Sequence, residues 1–163
     1  MKFNKLIVGF VLLTAVIIGG GSYLIAKTSA PQLAADQAAQ ANVTETSFDW
    51  GTIGINDGIV EKTFTITNNG AGPLKLAGVV TSCMCTTAQV KTSDSLSPAF
   101  GMHQKSSWSE QVEPGQSADL IVAFDPAFHG PSGVGAITRI VTVDTNDASQ
   151  PQLSFTLTAN VVN

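Results

Sequence analysis

The sequence predicts an all-β protein, an antiparallel β-sandwich of about seven strands, preceded by one N-terminal transmembrane helix. Two observations favour the sandwich: short segments in which apolar and polar residues alternate, and turns rich in Gly, Pro, Asn and Asp between them. After residue 46 no apolar pattern of helical period and useful length is present, which disfavours α/β enzyme folds. The third observation, an uncharged run near the N-terminus, favours the helix.

The uncharged run extends from Leu6 to Ala26. As a helix it would span about 30 Å, the hydrocarbon thickness of a bilayer. A cleavable signal peptide has a shorter apolar region, so we expect residues 1–27 to form an uncleaved signal anchor. The alternative is a long signal peptide that is cut between Ala34 and Ala41.

Basic residues around this run predict its orientation. Lys2 and Lys5 precede the run and only Lys27 follows it, which predicts a single-pass protein with a cytoplasmic N-terminus. The domain then lies on the extracytoplasmic side, in the periplasm or at the cell exterior. These three lysines are among only 8 basic residues, whereas all 12 acidic residues follow them, so the exported part is acidic. A nucleic-acid partner is therefore disfavoured, because phosphate binding needs clustered Lys and Arg.

The exported part divides into a linker and one domain. Residues 28–46 hold few large apolar side chains and are predicted to be a linker that holds the domain away from the membrane. Residues 47–163 form the predicted sandwich, a length that suits one domain with its own core. The predicted strands are Ser47–Ile53, Ile59–Asn68, Leu74–Thr81, Ala118–Phe124, Ile137–Val143 and Leu153–Val161.

The strands are predicted by alternation and by the turns that separate them. In the second strand Phe64 and Ile66 alternate with threonines, the period of a half-buried strand. Turn residues occupy positions 68–73, 113–116 and 144–147, next to the ends of neighbouring strands. Six or seven strands with such turns predict a sandwich.

One long segment, at about residues 92–111, shows no clean alternation. A structureless loop of this length is uncommon in a small sandwich and is usually functional or disordered. It carries Phe100, Met102, His103 and Trp108, side chains that disordered segments usually lack. We therefore expect an ordered insertion that packs on the domain.

Several short motifs follow one another in a fixed order along the chain. They are Phe48-Asp49-Trp50-Gly51-Thr52-Ile53, Thr63-Phe64-Thr65-Ile66-Thr67-Asn68-Asn69-Gly70, Pro73-Leu74, Thr81-Ser82-Cys83-Met84-Cys85-Thr86-Thr87, Glu113-Pro114-Gly115-Gln116 and Phe124-Asp125-Pro126. In this order they resemble one bacterial family, the domain-of-unknown-function family 1573. The resemblance covers about residues 47–161 and implies an exported, non-enzymatic, immunoglobulin-like sandwich related to hydin and major-sperm-protein-like modules, but it supplies no biochemical activity. This sequence departs from the family pattern in having Met84 where glycine is usual, and in the inserted segment around Phe100 to His103.

The most reactive motif holds both cysteines of the chain, Cys83 and Cys85, with Met84 between them. In an extended segment the two cysteines would share one face, with Cα atoms roughly 6.5–7 Å apart, twice the strand rise. That arrangement suits two thiolates on a soft metal better than a disulfide. Three interpretations stay open: a soft-metal site, a disulfide, and two small buried apolar residues that end a strand.

Copper(I) is the cofactor that this motif would favour, because thiolates and thioethers are soft ligands. Cys83 and Cys85 would supply two ligands, and Met84 a third if the segment turns. Met102 and His103 of the insertion are further candidate ligands. His129 lies in another loop and is more typical of a solvent-facing polar residue.

The sequence shows no nucleotide-binding loop, hydrolase elbow or zinc-protease helix, so no catalytic residue is predicted. The first hypothesis is a membrane-tethered, extracytoplasmic, non-enzymatic binding module whose protein partner binds a sandwich edge or the 92–111 loop. The alternative is a soft-metal (copper) binding or handling protein. The second alternative is a thiol–disulfide redox protein, which is disfavoured because no Lys or Arg lies near the cysteines before Lys91.

Overall fold

The computed structural model describes residues 9–18, 33–103 and 106–163. Residues 9–18 are helical. Within the described ranges no helix has both the length and the apolar character needed to cross a membrane. The remainder of the predicted anchor at residues 1–27 lies outside the described residues, so the anchor stays a prediction.

The described residues form nine strands in two sheets that pack as an immunoglobulin-like β-sandwich, so the predicted all-β sandwich is confirmed. One sheet has four strands in the order β1-β3-β7-β5, and the other has five in the order β2-β9-β8-β4-β6. A short 3-10 helix, Gly130–Gly133, lies between β7 and β8. The strands are β1 Ala41–Val43, β2 Ser47–Gly54, β3 Val60–Asn68, β4 Leu74–Thr81, β5 Thr86–Lys91, β6 Ser109–Val112, β7 Ser117–Phe124, β8 Gly135–Thr145 and β9 Gln152–Val162.

The core lies between the two sheets and follows from the two-residue alternation of the strands. In β7 every second side chain is buried, from Ala118 to Phe124. Phe64 of one sheet meets Phe155 of the other, with ring centroids 4.9 Å apart and both side chains fully buried. Burying each of these rings contributes about 1.5–3 kcal/mol to the packing of the two sheets.

The structure corrects the strand number and one strand direction. The strands β1, β5 and β6 were absent from the sequence prediction of about seven strands. The prediction of a wholly antiparallel sandwich is wrong at one place, because β2 runs parallel to β9. These two strands lie near opposite ends of the domain sequence, so no hairpin forces them to be antiparallel.

The structure differs from the predicted linker at residues 28–46, because part of this segment belongs to the sandwich. Strand β1 pairs with β3, and Ala39 and Ala41 are buried in the main core. The backbone N–H of Ala41 donates a 2.9 Å hydrogen bond to Asp147 Oδ2. Alanine side chains give a weak sequence signal for a strand, because alanine is depleted in strands.

The segment predicted as an insertion at residues 92–111 lies against the sandwich. Phe100 is 1% exposed and belongs to the core, and its ring centroid lies 5.2 Å from that of Trp108. Backbone hydrogen bonds join Phe100 to Ala88 of β5 in both directions, at 2.8 and 2.9 Å. The strand β6 begins inside this segment at Ser109. The segment therefore covers the outer edge of β5.

Candidate functional site

The two cysteines lie in a tight turn between β4 and β5. The backbone N–H of Thr86 donates to the carbonyl oxygen of Cys83 at 3.1 Å, which closes a four-residue turn. The buried hydroxyl of Thr81 lies 3.0 Å from the Cys83 carbonyl oxygen and 2.9 Å from that of Thr86. Of the two geometries that the sequence left open, the segment adopts the turn and not the extended form, and the Cα atoms of Cys83 and Cys85 are 5.3 Å apart.

The turn brings the two sulfur atoms together as a disulfide between Cys83 and Cys85. Their surroundings differ. Cys85 is 3% exposed and packs in a small apolar cluster with Phe124, whereas Cys83 is only half-buried at the rim of that cluster. One sulfur is thus accessible from solvent and the other is sheltered.

His129 approaches the accessible sulfur from the loop that follows β7. Its Nε2 atom lies 3.3 Å from Cys83 Sγ. The loop is held beside the turn because the backbone N–H of Asp125 donates to the carbonyl oxygen of Cys85 at 3.0 Å. The Asp125 carboxylate then accepts from the backbone N–H of Ala127 at 2.9 Å, which shapes the chain that leads to His129.

Arg139 of β8 approaches the sheltered sulfur. Its Nε atom lies 3.1 Å from Cys85 Sγ, and its guanidinium carbon lies 5.4 Å from the centroid of the Phe124 ring. Burial lowers the pKa of Arg139 from its usual value, although a guanidinium remains protonated in proteins. Within the described part of the chain no carboxylate forms a salt bridge with Arg139.

Three of these side chains form a group that could hold a metal ion. One ligand atom each of Cys83, Cys85 and His129 lies within 4.8 Å of the other two. Two metal–sulfur bonds of about 2.3 Å each would span at most about 4.6 Å, so rotation of the reduced cysteine side chains would be enough to admit an ion. The arrangement can also exchange its disulfide with a thiol that reaches Cys83.

The predicted site residues separate in the structure. Cys83 and Cys85 are together, and Met84 lies at the tip of their turn with 60% of its surface exposed. Met102 is half-buried and His103 is exposed, and His103 is not a member of the group that contains His129. The histidine of this group is thus the one in the loop after β7, where the sequence pointed to the one in the insertion.

Sequence reasoning missed His129 and Arg139 as neighbours of the cysteines, although a signal for His129 existed. The strand β5 pairs with β7 so that Thr86 lies opposite Phe124. The residues just before β5 and just after β7 therefore meet at one end of the sheet. Without β5 in the predicted set, that meeting could not be inferred.

The sandwich edges are the other place at which a partner could bind, and they are poorly suited to adding a strand. The edge strands β1 and β6 have only 3 and 4 residues. The edge of β5 is covered by the segment that contains Phe100. The edge strand β2 has a register irregularity between Asp49 and Thr52, with Gly51 at φ 70°. Short, bulged or covered edges resist strand addition.

A concave region of about 340 Å³ lies at the other end of the sandwich, between residues 37–40, 69–71 and 147–149. The charged side chain that lines it, Asp147, accepts hydrogen bonds from the backbone N–H groups of Ala41, Ser149 and Gln150 and from the Ser149 hydroxyl. These bonds satisfy the carboxylate within the protein, so the region offers a ligand no free charged group.

Residues 41–99 match the sequence model of a family described as "Protein of unknown function (DUF1573)", which confirms the resemblance inferred from the motifs over these residues. A protein of unknown function from Porphyromonas gingivalis W83 is 25% identical and has a TM-score of 0.58; the match covers 80% of this chain and 50% of that one. This chain therefore spans about half the length of that protein. No curated protein matches.

Two further solved structures match this chain over most of its length. A family 123 glycoside hydrolase from Clostridium perfringens is 10% identical, with a TM-score of 0.50, over 77% of this chain and 27% of that one. A PapD-like domain of human CEP192 is 16% identical, with a TM-score of 0.49, over 82% of this chain and 92% of that one. At this identity the hydrolase shows the fold alone.

Proposed function

We propose that this protein, which carries a DUF1573 region at residues 41–99, is a membrane-tethered extracytoplasmic module that binds the soft metal ion copper(I). The ligands in this proposal are the thiolates of Cys83 and Cys85 and the imidazole of His129. The observation that carries it is the convergence of these three ligand atoms within 4.8 Å of one another. Thiolate ligands select Cu(I) and Zn(II) over hard cations, and imidazole suits both.

Copper binding would require the reduced state of the turn. Two electrons and two protons convert the disulfide into two thiols, with the electrons supplied by a dithiol or a phosphine reductant. Binding then releases the thiol protons, because the thiolate is the ligand. We expect the cysteines to stay close after reduction, because the Thr81 hydroxyl and the Thr86 N–H make hydrogen bonds within the turn that do not involve the sulfur atoms.

The proposed module is non-enzymatic and holds its ion outside the cytoplasm. The helix at residues 9–18 supports the proposed tether, because its apolar side chains are exposed, with Phe10 at 67% and Ile18 at 69%. A protein partner at a sandwich edge is a weaker proposal, because the edges are short, bulged or covered. A partner at the 92–111 loop is weaker too, because Phe100 and Trp108 pack on each other.

The test is a Cu(I) titration of the full-length protein in detergent, reduced with a phosphine under anaerobic conditions, in competition with a chromogenic Cu(I) chelator. We expect about one Cu(I) per chain. We expect Cys83→Ser or Cys85→Ser to weaken binding by more than about 100-fold, because outer-shell partners alone contribute about 10–100-fold.

The two histidines provide a matched comparison within the same titration. His129→Ala should weaken Cu(I) binding by about tenfold or more, whereas His103→Ala should leave it unchanged, because only His129 lies beside Cys83. Absence of Cu(I) binding by the reduced wild-type protein would refute the proposal. Unchanged affinity in the double cysteine-to-serine variant would refute it as well.

A second candidate function, thiol–disulfide exchange, is favoured by the unequal exposure of the two sulfurs and by Arg139. An incoming thiolate would attack Cys83 Sγ, the Cys83–Cys85 bond would break, and Cys85 would leave as a thiolate stabilised by the guanidinium 3.1 Å away. In glutathione buffers the mixed disulfide should therefore form at Cys83 and not at Cys85, as measured by mass spectrometry of peptides. Equal labelling of both cysteines would contradict this mechanism.

A further inference from the structure

Arg139 is not one of the proposed metal ligands, yet its guanidinium lies beside the sulfur atoms. Its Nε atom lies 3.1 Å from Cys85 Sγ. Arg139 is half-buried, with its guanidinium beside the ring of Phe124. No carboxylate in the described residues forms a salt bridge with it. The Nη1 atom of Arg139 donates to the carbonyl oxygen of Thr138 at 2.8 Å. Partial burial disfavours the charged guanidinium, and an anion beside it would offset that cost.

We propose that Arg139 is the counter-ion of an anionic metal–dithiolate complex and makes the site selective for a monovalent soft cation over a divalent one. This inference rests on the proposed metal site. Two thiolates and a neutral imidazole give a net charge of −1 with Cu(I) and 0 with Zn(II). The positive charge of Arg139 therefore stabilises the Cu(I) complex and has little effect on the neutral Zn(II) complex.

The selectivity does not depend on the protonation state of the empty site. If the empty site holds two thiols, Arg139 strengthens Cu(I) binding and leaves Zn(II) binding nearly unchanged. If it holds two thiolates, Arg139 stabilises the empty site and weakens binding of both ions, but it weakens Zn(II) binding more. In both cases the two complexes differ by one unit of charge beside the guanidinium. This difference determines how much Arg139 raises the ratio of Cu(I) affinity to Zn(II) affinity.

The magnitude follows from the distance. For unit charges about 4–5 Å apart in a partly sheltered site, the interaction corresponds to a change of about 10–100-fold after allowance for solvent screening. We therefore expect Arg139→Gln to lower the ratio of Cu(I) affinity to Zn(II) affinity by about 10–100-fold. Arg139→Lys should keep the ratio within about threefold of the wild type, because the positive charge remains.

The experiment measures both affinities on the full-length reduced protein, with Cu(I) and with Zn(II), each against a competing chelator. Lys75→Gln is the matched control, because it also removes one positive charge but lies near the start of β4, at the end of the strand away from the cysteine turn. Circular dichroism checks that each variant is folded. If Arg139→Gln does not fold, Arg139→Met replaces it as the neutral variant.

The outcomes separate this inference from the proposed function. If Arg139 had only a structural role, its replacement would weaken the binding of both ions in the same proportion. An unchanged ratio of affinities in the neutral variant would therefore overturn the inference, while the proposed metal site would be unaffected. The inference would also be overturned if Lys75→Gln lowered the ratio of Cu(I) affinity to Zn(II) affinity as much as Arg139→Gln does. Absence of binding of either ion by the wild-type protein would instead refute the proposed function.

Discussion

Polar side chains at the two ends of the sandwich make different kinds of contact. At one end Asn68, Asn146 and Asp147 are buried and bond mainly to the backbone. Asn68, for example, donates to the carbonyl oxygens of Gly72 and Val112 at 2.9 and 2.8 Å. At the other end Cys83, Cys85, His129 and Arg139 contact one another through their side chains.

This contrast separates structural polar groups from candidate functional ones. A buried amide that satisfies several backbone groups fixes loops, and its removal leaves those groups without partners. Sulfur, imidazole and guanidinium groups that meet at a partly open turn satisfy few backbone groups. We therefore expect substitutions at the asparagine end to change stability, and substitutions at the cysteine end to change chemistry.

The largest stability effect should come from Asn68→Ala. This side chain also accepts a hydrogen bond from the backbone N–H of Gly70 at 2.9 Å, so three buried or part-buried backbone groups lose their partner. We expect the free energy of unfolding to fall by about 3 kcal/mol, measured by chemical denaturation. Cu(I) affinity should be unchanged, and a stability loss below about 0.5 kcal/mol would contradict the structural role.

The next effect concerns Asp147 and pH. Burial alone would raise its pKa, but hydrogen bonds from the Ser149 hydroxyl and from the backbone of Ala41, Ser149 and Gln150 hold the pKa below its usual value of 3.8. The stability that this group contributes is thus present above pH 3.8 and is lost as the pH falls through the lower folded-state pKa.

Unfolding measured from pH 7 down to pH 2 should reveal this contribution. Asp147→Asn should lower stability at neutral pH by about 2 kcal/mol, because an amide offers fewer acceptor sites for these donors. It should also flatten the acid limb of the stability profile relative to the wild type. An unchanged acid limb would show that Asp147 does not titrate as the structure indicates. Asp94→Asn, at an exposed position, is the control.

The smallest stability effect should come from His129→Ala. The side chain is exposed, and its ring lies beside Phe128 and the Cys83 sulfur, so the free energy of unfolding should change by less than about 0.5 kcal/mol. The same variant should lose Cu(I) affinity, as proposed above. A stability loss of the size expected for Asn68→Ala would remove the distinction between the two ends.

Much of the scaffold could be predicted from the sequence, and the reasons are local. The strands β3, β4, β7, β8 and β9 show alternation or apolar runs that mark a strand without knowledge of its neighbours. The strand β5 was not predicted because one of its buried positions is the polar residue Thr86. In addition, no Gly, Pro, Asn or Asp directly precedes it to indicate a turn.

The candidate site was predictable only in part, because two of its residues depend on strand pairing. The spacing of Cys83 and Cys85 marks the turn directly. His129 and Arg139 are separated from the cysteines by 46 and 54 residues, and only the order of strands in the two sheets brings them close. The sequence could therefore nominate His103, which is nearer along the chain, and could not recognise Arg139.

The parallel pairing of β2 with β9 also decides when a newly made chain can finish folding. Ser47 has its partner at Thr156, 109 residues later, and β9 in turn pairs with β8 on its other side. Until Val162 has been synthesised, both β2 and β8 present open edges that can pair with other chains. We therefore expect a chain without β9, whether nascent or truncated, to aggregate more readily than a chain that contains it.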